Sequence, residues 1–373
     1  MLKKDTLIDP LYSEKLSYAD RYLKSHNIEN KQLLLFDIET TGLSHRYSHL
    51  YMIGAVFSEN NHQILRQWLV QKPADEKKVL EEFAALLNDT SLPVCYNGIT
   101  FDIPYLRDRY AYWDIKCPFP DRQSAEQTLD LYQYARLMGK YYTLKSMKQK
   151  DIESLLSVSR KDLMSGGELI PIYENYVRTL DPEAEQLLFL HNHDDLLGMI
   201  ALLPILNYKR LTENDFYHTL SAKFNEKQEL LTITFRIADQ LPKSLSIEFE
   251  SAHLAVYENC GSLTIEGKWQ TRKMFFKNYK DYFYLPIEDT AIHKSVGRFV
   301  DPSCRQKAKA ATCYQKKEAV FFYQPAPVIT PCFLPEYGSK NYAFLFDDQI
   351  SEVQWIQLII KMWREVAEKG TVK

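Results

Sequence analysis

Apolar runs and short polar breaks alternate along the chain from residue 33. LLLFDI, LYMIGAVF (50–57) and HQILRQWLV (62–70) have strand-like lengths and turn residues between them, and they predict three consecutive strands. VLEEFAALLND (79–89) then shows the apolar period of a helix, LPVCYN (92–97) is a further short strand, and a helix is expected to start near Phe101. Three strands followed by helix, strand and helix predict a mixed sheet covered by helices rather than an all-parallel one. Residues 1–30 read as a polar lead-in with one short helical pattern.

Between 127 and 207 the pattern is mostly helical. It runs through TLDLYQYARLM, LKSMKQKDIESLL, a break at Gly166-Gly167, IPIYENYVRTL and a long last helix. Asp181 as N-cap and Pro182 as first helical residue open that helix, and Pro204 marks its end. The chain then changes character: LLTITFRIA, LSIEFES, AHLAVYE, SLTIEGKW and AVFFYQ are strand-like, so a second, β-rich domain is expected over 211–373. Residues 349–369 predict an amphipathic helix with Ile350, Val353, Ile356, Ile360 and Trp363 near one face and Gly370 as its stop. The expected fold is therefore α/β over 31–210, a mixed sheet flanked by helices, followed by the β-rich domain.

Composition narrows this picture little. With 373 residues, 45% hydrophobic and 25% charged, the chain is long enough for two real cores. Six cysteines (95, 117, 260, 304, 313, 332) form no CxxC pair and no secretory signal precedes them, so reduced thiols in a cytoplasmic protein are expected. A zinc or iron–sulfur site built from Cys260, Cys304, Cys313 and Cys332 fits no usual spacing. The longest apolar runs, such as IALLPIL (200–206), fall short of the roughly 20 residues that span a bilayer, so no membrane partner is expected.

Charge adds more. Twelve Lys or Arg stand against four acids between Lys268 and Lys317, a local excess of +8 within a chain of net charge −3. Trp269, Phe275, Phe276, Tyr279, Tyr282, Phe283 and Tyr284 are interleaved with them, a pattern that suits either tracking a phosphate backbone and stacking bases or a solvated face on an aromatic β-domain.

The acids near strand ends carry the candidate chemistry. Asp37 and Glu39 lie two apart, so on a strand they leave the same face and repel, unless a divalent cation lies between them; alternatively they are solvated turn acids beside Thr40-Thr41-Gly42. Asp102, in YNGITFDIPYL (96–106), sits between Phe101 and Ile103 after a strand and reads as a site acid or a helix cap, with Asn97 as a second polar handle. On the last long helix Leu188, His191, Asp195, Met199 and Leu202 form one stripe, which His191 and Asp195 interrupt. Asp194 lies about 100° away, so Asp195 is the better candidate, and His193 points to the far side. An intrahelical His191–Asp195 pair is the plain alternative.

Together FDIETTG, YNGITFD and a helix carrying His and Asp resemble the three motifs of the ribonuclease-H-like 3′–5′ exonuclease superfamily, in particular its bacterial ribonuclease-H-like branch, over roughly 30–207. The resemblance implies metal ligands Asp37, Glu39, Asp102 and Asp195 holding two Mg²⁺ or Mn²⁺ ions, His191 as general base, and phosphodiester hydrolysis. It also implies a terminal nucleotide of single-stranded nucleic acid resting near Thr40, Thr41, Gly42, Asn97 and Phe101. One departure stands out. The superfamily places its activating residue as a His five before the last Asp or a Tyr four before it; here Leu190 is at minus five and His191 at minus four, in the tyrosine's register. An endonuclease of the same fold, and a catalytically silent nucleic-acid-binding protein, are the alternative functions.

Overall fold

A computed structural model describes residues 1–28, 31–87, 91–120 and 127–369. Asn88 and Asp89 of the expected first helix and the Gly370 stop lie outside the described residues. The chain divides into two compact units, Met1–Gly139 with Leu144–Lys209, and Lys140–Thr143 with Arg210–Lys373.

The first unit is built on β1 (Leu2–Leu7), α1 (Pro10–Ser25), β2 (Gln32–Thr40), β3 (Leu50–Glu59), β4 (His62–Leu69), α2 (Asp75–Leu86), β5 (Ser91–Cys95), α3 (Asp102–Tyr112), β6 (Leu129–Asp130), α4 (Leu131–Tyr142, of which residues 140–142 fall in the second unit), α5 (Gln149–Leu155), α6 (Gly166–Thr179) and α7 (Pro182–Leu202). Its sheet has the order β1-β4-β3-β2-β5-β6. The β1–β4, β3–β4 and β2–β3 pairs are antiparallel, and β2–β5 and β5–β6 are parallel, which is the expected mixed sheet. The expected lead-in is a correction: Leu2–Leu7 pairs along most of β4 and closes one edge of the sheet. Its sparse hydrophobicity is what an edge strand exposed to solvent shows.

Alternation along β2 sets what each side of the sheet holds. Leu34, Phe36 and Ile38 join one apolar cluster with Val79, Leu80 and Phe83 of α2 and Ile103, Leu106 and Tyr110 of α3. Leu35, Asp37 and Glu39 therefore face the other side. There Tyr51, Met52 and Leu69 pack with Leu169, Tyr173 and Tyr176 of α6 and Ala184, Leu188 and Phe189 of α7. Asp181 caps α7 through a bond from the Glu183 N–H, Pro182 opens it, and a short 3₁₀ turn, Leu203–Leu206, follows it.

Three local expectations are corrected. Gly166 and Gly167 do not break the chain but form the first turn of α6, behind the capping box of Ser165 and Glu168. The expected helix from Leu144 shrinks to Gln149–Leu155. Leu129 and Asp130, expected as helix, extend the sheet before α4 begins.

The second unit is β-rich. An antiparallel five-stranded sheet runs β7 (Tyr217–Asn225), β8 (Leu230–Ile237), β11 (Cys260–Glu266), β10 (Ala252–Tyr257) and β9 (Leu245–Glu248) in spatial order. Two three-stranded sheets follow, β12 (Lys268–Phe275) with β16 (Tyr314–Gln324) and β17 (Tyr342–Phe344), and β14 (Thr290–His293) with β13 (Tyr282–Leu285) and β15 (Gln306–Lys307). The terminal helix, Glu352–Lys369, buries Trp355, Ile359, Met362, Trp363 and Val366, an i, i+4, i+7, i+8, i+11 stripe. Of the expected face, Ile360 and Trp363 are buried, Ile350 and Ile356 are half-buried and Val353 is exposed. No described helix is long and apolar enough to cross a membrane.

A carboxylate cluster at the end of the central strand

β2 ends in the middle of the sheet with a register shift between Glu39 and Thr40, where pairing jumps from Met52 to Leu50. The bulge falls just after both acids, before the last pair of the ladder, Thr40 with Leu50, and the acids keep the α7 side that the strand's alternation gives them. Gly54 pairs with Asp37, and a Cβ on Gly54 would meet Asn192 Oδ1 at 2.0 Å and Leu196 Cδ1 at 2.6 Å. Only glycine admits α7 this close to the strand. Asn192 uses the approach: its Nδ2 donates to Asp37 Oδ2 at 3.0 Å, while its Oδ1 accepts from the buried Gln67 at 3.0 Å.

The four expected acids gather here. Burial first, and then the charges of Glu39, Asp195 and Asp102, raise Asp37 well above the usual carboxylate range. Glu39 is raised likewise by burial and then by Asp195 and Asp102. Asp102 is the first residue of α3 and does not cap it. Its carboxylate accepts the N–H of Ile38, the residue between the two strand acids, and burial still pushes it up to about 7. Asp130 accepts the N–H groups of Asn97 and Ile99 at 2.7 and 3.1 Å and so shapes the turn that leads into α3.

His191 is buried among them. Its Nδ1 donates to Asp162 Oδ2 at 2.7 Å, and Nε2 lies 3.3 Å from Asp195 Oδ2 and 3.5 Å from Glu39 Oε1. Glu39, His191 and Asp195 each offer a donor atom within 4.8 Å of the others. Arg160 donates to Asp195 Oδ1 at 2.5 Å and to Glu153 at 2.9 Å. Glu153 is fully buried and reaches this position because Gly198 carries no side chain; a Cβ there would meet Glu153 Oε1 at 1.9 Å. Asp194 serves the neighbouring loop instead. Its Oδ2 accepts the N–H groups of Lys161 and Asp162 at 2.7 and 2.8 Å, pinning the segment that carries Arg160 and Asp162. His193, expected on the far side of the helix, is half-buried against Asp194 at 3.4 Å.

The expected nucleotide-facing residues are engaged locally. Thr40 donates to the Gly42 carbonyl at 2.9 Å, and Thr41 Oγ1 accepts the His49 N–H at 2.8 Å. Asn97 has a left-handed backbone, φ 63°, and its Oδ1 accepts from Thr100 at 2.7 Å. The half-buried Phe101 ring lies 5.8 Å from that of Tyr105. Asn97 thus forms the turn that leads toward Asp102.

Sequence reasoning missed Asp162, Arg160, Lys150, Asn192 and Tyr51. Lys150 Nζ lies 3.2 Å from Asp162 Oδ2, and Tyr51 donates to Glu39 Oε2 at 3.4 Å. Asn192 had a signal, as a polar residue on the sheet-facing side of an apolar helix beside His191. Asp162 and Arg160 had none, because they lie in a loop without period.

A family model described as the RNase_H superfamily matches residues 34–207. The chain is similar to the PolC-type DNA polymerase III of Ureaplasma parvum serovar 3, 29% identical over 117 residues, which cover 25% of this chain and 8% of that one. The Mycoplasma genitalium PolC-type polymerase is 29% identical over 134 residues, 28% of this chain and 9% of that one. This chain therefore spans less than a tenth of the curated relatives it matches. Among solved structures it is similar to E. coli exonuclease I in complex with an oligonucleotide, at 10% identity and a TM-score of 0.33, over 61% of this chain and 54% of that one.

Proposed function

We propose, from the premise that residues 34–207 are a domain of the RNase_H superfamily, that the first unit is a divalent-metal-dependent nuclease removing nucleotides from the 3′ end of single-stranded DNA or RNA. One observation carries the reading. Four carboxylates from β2, α3 and α7 repel one another in a largely buried group beside His191, an arrangement that costs stability unless a cation occupies it.

The donor set fits such a cation. Carboxylate oxygens are the ligands that Mg²⁺ and Mn²⁺ take, and Asp37, Glu39, Asp102 and Asp195 would hold them, as two ions, which leaves His191 Nε2 free of the metal. When bound, the ions would supply Lewis acidity and a water acidic enough to be ionised near neutral pH.

The protein's own groups do the rest. Asp162 accepts the Nδ1 proton in a hydrogen bond and so holds the His191 ring with Nε2 toward Glu39 and Asp195, where it can accept a proton from an attacking water. Asn192 and the Ile38 N–H keep Asp37 and Asp102 oriented. Arg160 is a fixed positive charge against Asp195 and lowers the cost of gathering acids there. Thr40 to Gly42 form a tight turn next to the strand end, beside which a terminal sugar would rest.

Digestion of 5′-labelled single-stranded DNA and RNA with Mn²⁺ tests this, with Asp37→Ala and an EDTA-treated sample as controls. A ladder shortening from the 3′ end, lost in both controls, is expected. Equal degradation in all three samples would sink the metal-dependent reading. Cleavage of circular single strands would overturn the exonuclease polarity in favour of an endonuclease.

A further inference from the structure

Among the described residues of the second unit, one buried cation has no acidic counter-ion. Three arginines are buried among the described residues: Arg109, Arg210 and Arg272. Arg109 is held by Glu76 through two bonds of 2.5 Å, and Arg210 by Asp239 at 2.7 Å. Among the described residues, Arg272 has no acidic partner of this kind. Its guanidinium donates to the backbone oxygen of Asn341 at 2.8 Å and to Asn341 Oδ1 at 3.0 Å, and its Nε finds no acceptor. Burial lowers its pKa, and no carboxylate offsets the shift.

The surroundings make this more costly. Arg272 sits directly across the β12–β16 ladder from Lys317, so two like charges share one face. Lys268 stands on that face four residues earlier. Arg272, Lys268, Lys340 and Asn341 line a cleft of about 260 Å³, with the buried Phe321 and Ala343 also against it. Glu250 and Glu266 line it as well, both at exposed positions; Glu250 is 93% exposed and lies 3.8 Å from Lys268, a pair worth little in water. A buried guanidinium with spare N–H groups, flanked by flexible lysines, is the donor set for an oxyanion. The excess of +8 over Lys268–Lys317 favours an anion that belongs to a polyanion.

We propose that this cleft receives a backbone phosphate of single-stranded nucleic acid, with Arg272 as the fixed fork and Lys268 and Lys340 as its mobile flanks. The choice of strand rests on the nuclease reading above.

The test uses the intact chain with Asp37→Ala in EDTA, so that binding is read without hydrolysis, by fluorescence anisotropy of a labelled oligothymidylate across a salt series. Lys268→Ala and Lys340→Ala should each weaken binding, and together they should reduce the log–log salt slope by up to about 0.7, the single-strand value for one phosphate. Arg272→Gln should weaken it about tenfold, as expected for a lost charged hydrogen bond. Lys227→Ala, in the turn between β7 and β8, should leave affinity and slope unchanged. If Arg272→Gln fails to fold by its melting curve, the Lys268→Ala/Lys340→Ala double variant, altered only at exposed positions, decides. Parent-like affinity and slope in that double variant overturn the proposal. Inorganic phosphate separates the two sources of the same chemistry. If it raises the melting temperature of the parent and not of Arg272→Gln, while oligothymidylate affinity is equal in both, the cleft takes free phosphate and the strand proposal fails. Hydrolysis of the same oligothymidylate by the parent with Mn²⁺ is scored separately. Binding that depends on Arg272 in a chain that cannot hydrolyse would end the nuclease reading and leave the phosphate site standing.

Discussion

At the scale of single residues, the acids of the first unit are placed against their own stability. Asp37 is raised by burial and by three neighbouring carboxylates, so removing its charge relieves repulsion while Asn192 can still donate to the remaining oxygen. Asp37→Asn should therefore raise the melting temperature of the metal-free chain, by about 1–2 kcal/mol of stability, and lower hydrolysis roughly 10²–10³-fold. A destabilised variant in EDTA would contradict this. Asp162 bonds to His191 rather than standing among the four expected ligands, so Asp162→Asn is expected to lower kcat about 10–100-fold with little change in KM. Single-turnover rates at saturating substrate would check it, and a parent-like kcat would remove Asp162 from the site. Asp37, Glu39 and Asp102 were legible because each is an acid set in an apolar stretch, and such an acid needs a partner. Asp162 and Arg160 were not, because a polar loop residue has no local anomaly to betray it.

At the scale of elements, the site depends on how closely α7 approaches β2 and β3. Gly54 allows that approach. A methyl there meets Asn192 and Leu196 well inside contact distance, and neither can retreat from a packed helix. Gly54→Ala should cost about 1–3 kcal/mol by overpacking and also impair hydrolysis, since Asn192 and His191 move with the helix. Chemical denaturation together with an activity assay measures both, and unimpaired values would show that α7 can shift freely. The strands and α7 were legible from run length, period and the Asp181-Pro182 start. The α5–α6 region was less so, because α5 is short and the glycines serve as a helix start behind a capping box.

At the scale of the whole molecule, each unit carries its own electrostatic signature. In the second unit Lys316, then the hydroxyls of Tyr284 and Tyr314, hold Asp289 well below the usual carboxylate range. A folded pKa below the unfolded value of about 3.9 contributes stability in full above that pH, and the contribution disappears as pH falls through the folded value. The melting temperature of the intact chain should therefore exceed that of Asp289→Asn at about pH 6, and the two should draw together as pH falls below about 2. A gap independent of pH would mean that Asp289 acts only through packing. The basic stretch from Lys268 to Lys317 was visible as composition, but not its arrangement. It falls on two separate small sheets, and among its described Lys and Arg residues only Arg272 is buried on a cleft.

Local pattern by itself determined the strands of the mixed sheet, the start of α7, the β-rich second half and the acids that stand among apolar neighbours. These follow from side-chain periodicity and burial preference, which act over a few residues. Only the tertiary structure decided that Leu2–Leu7 closes the sheet, that Asp162 orients His191 from 29 residues away, and that Asn192 reaches Asp37 across 155. It also decided that, among the described residues, Arg272 is buried against Asn341 without an acid while Arg109 and Arg210 each have one. Contacts between distant residues depend on where loops land and how near two elements can pack. No period in the chain encodes that.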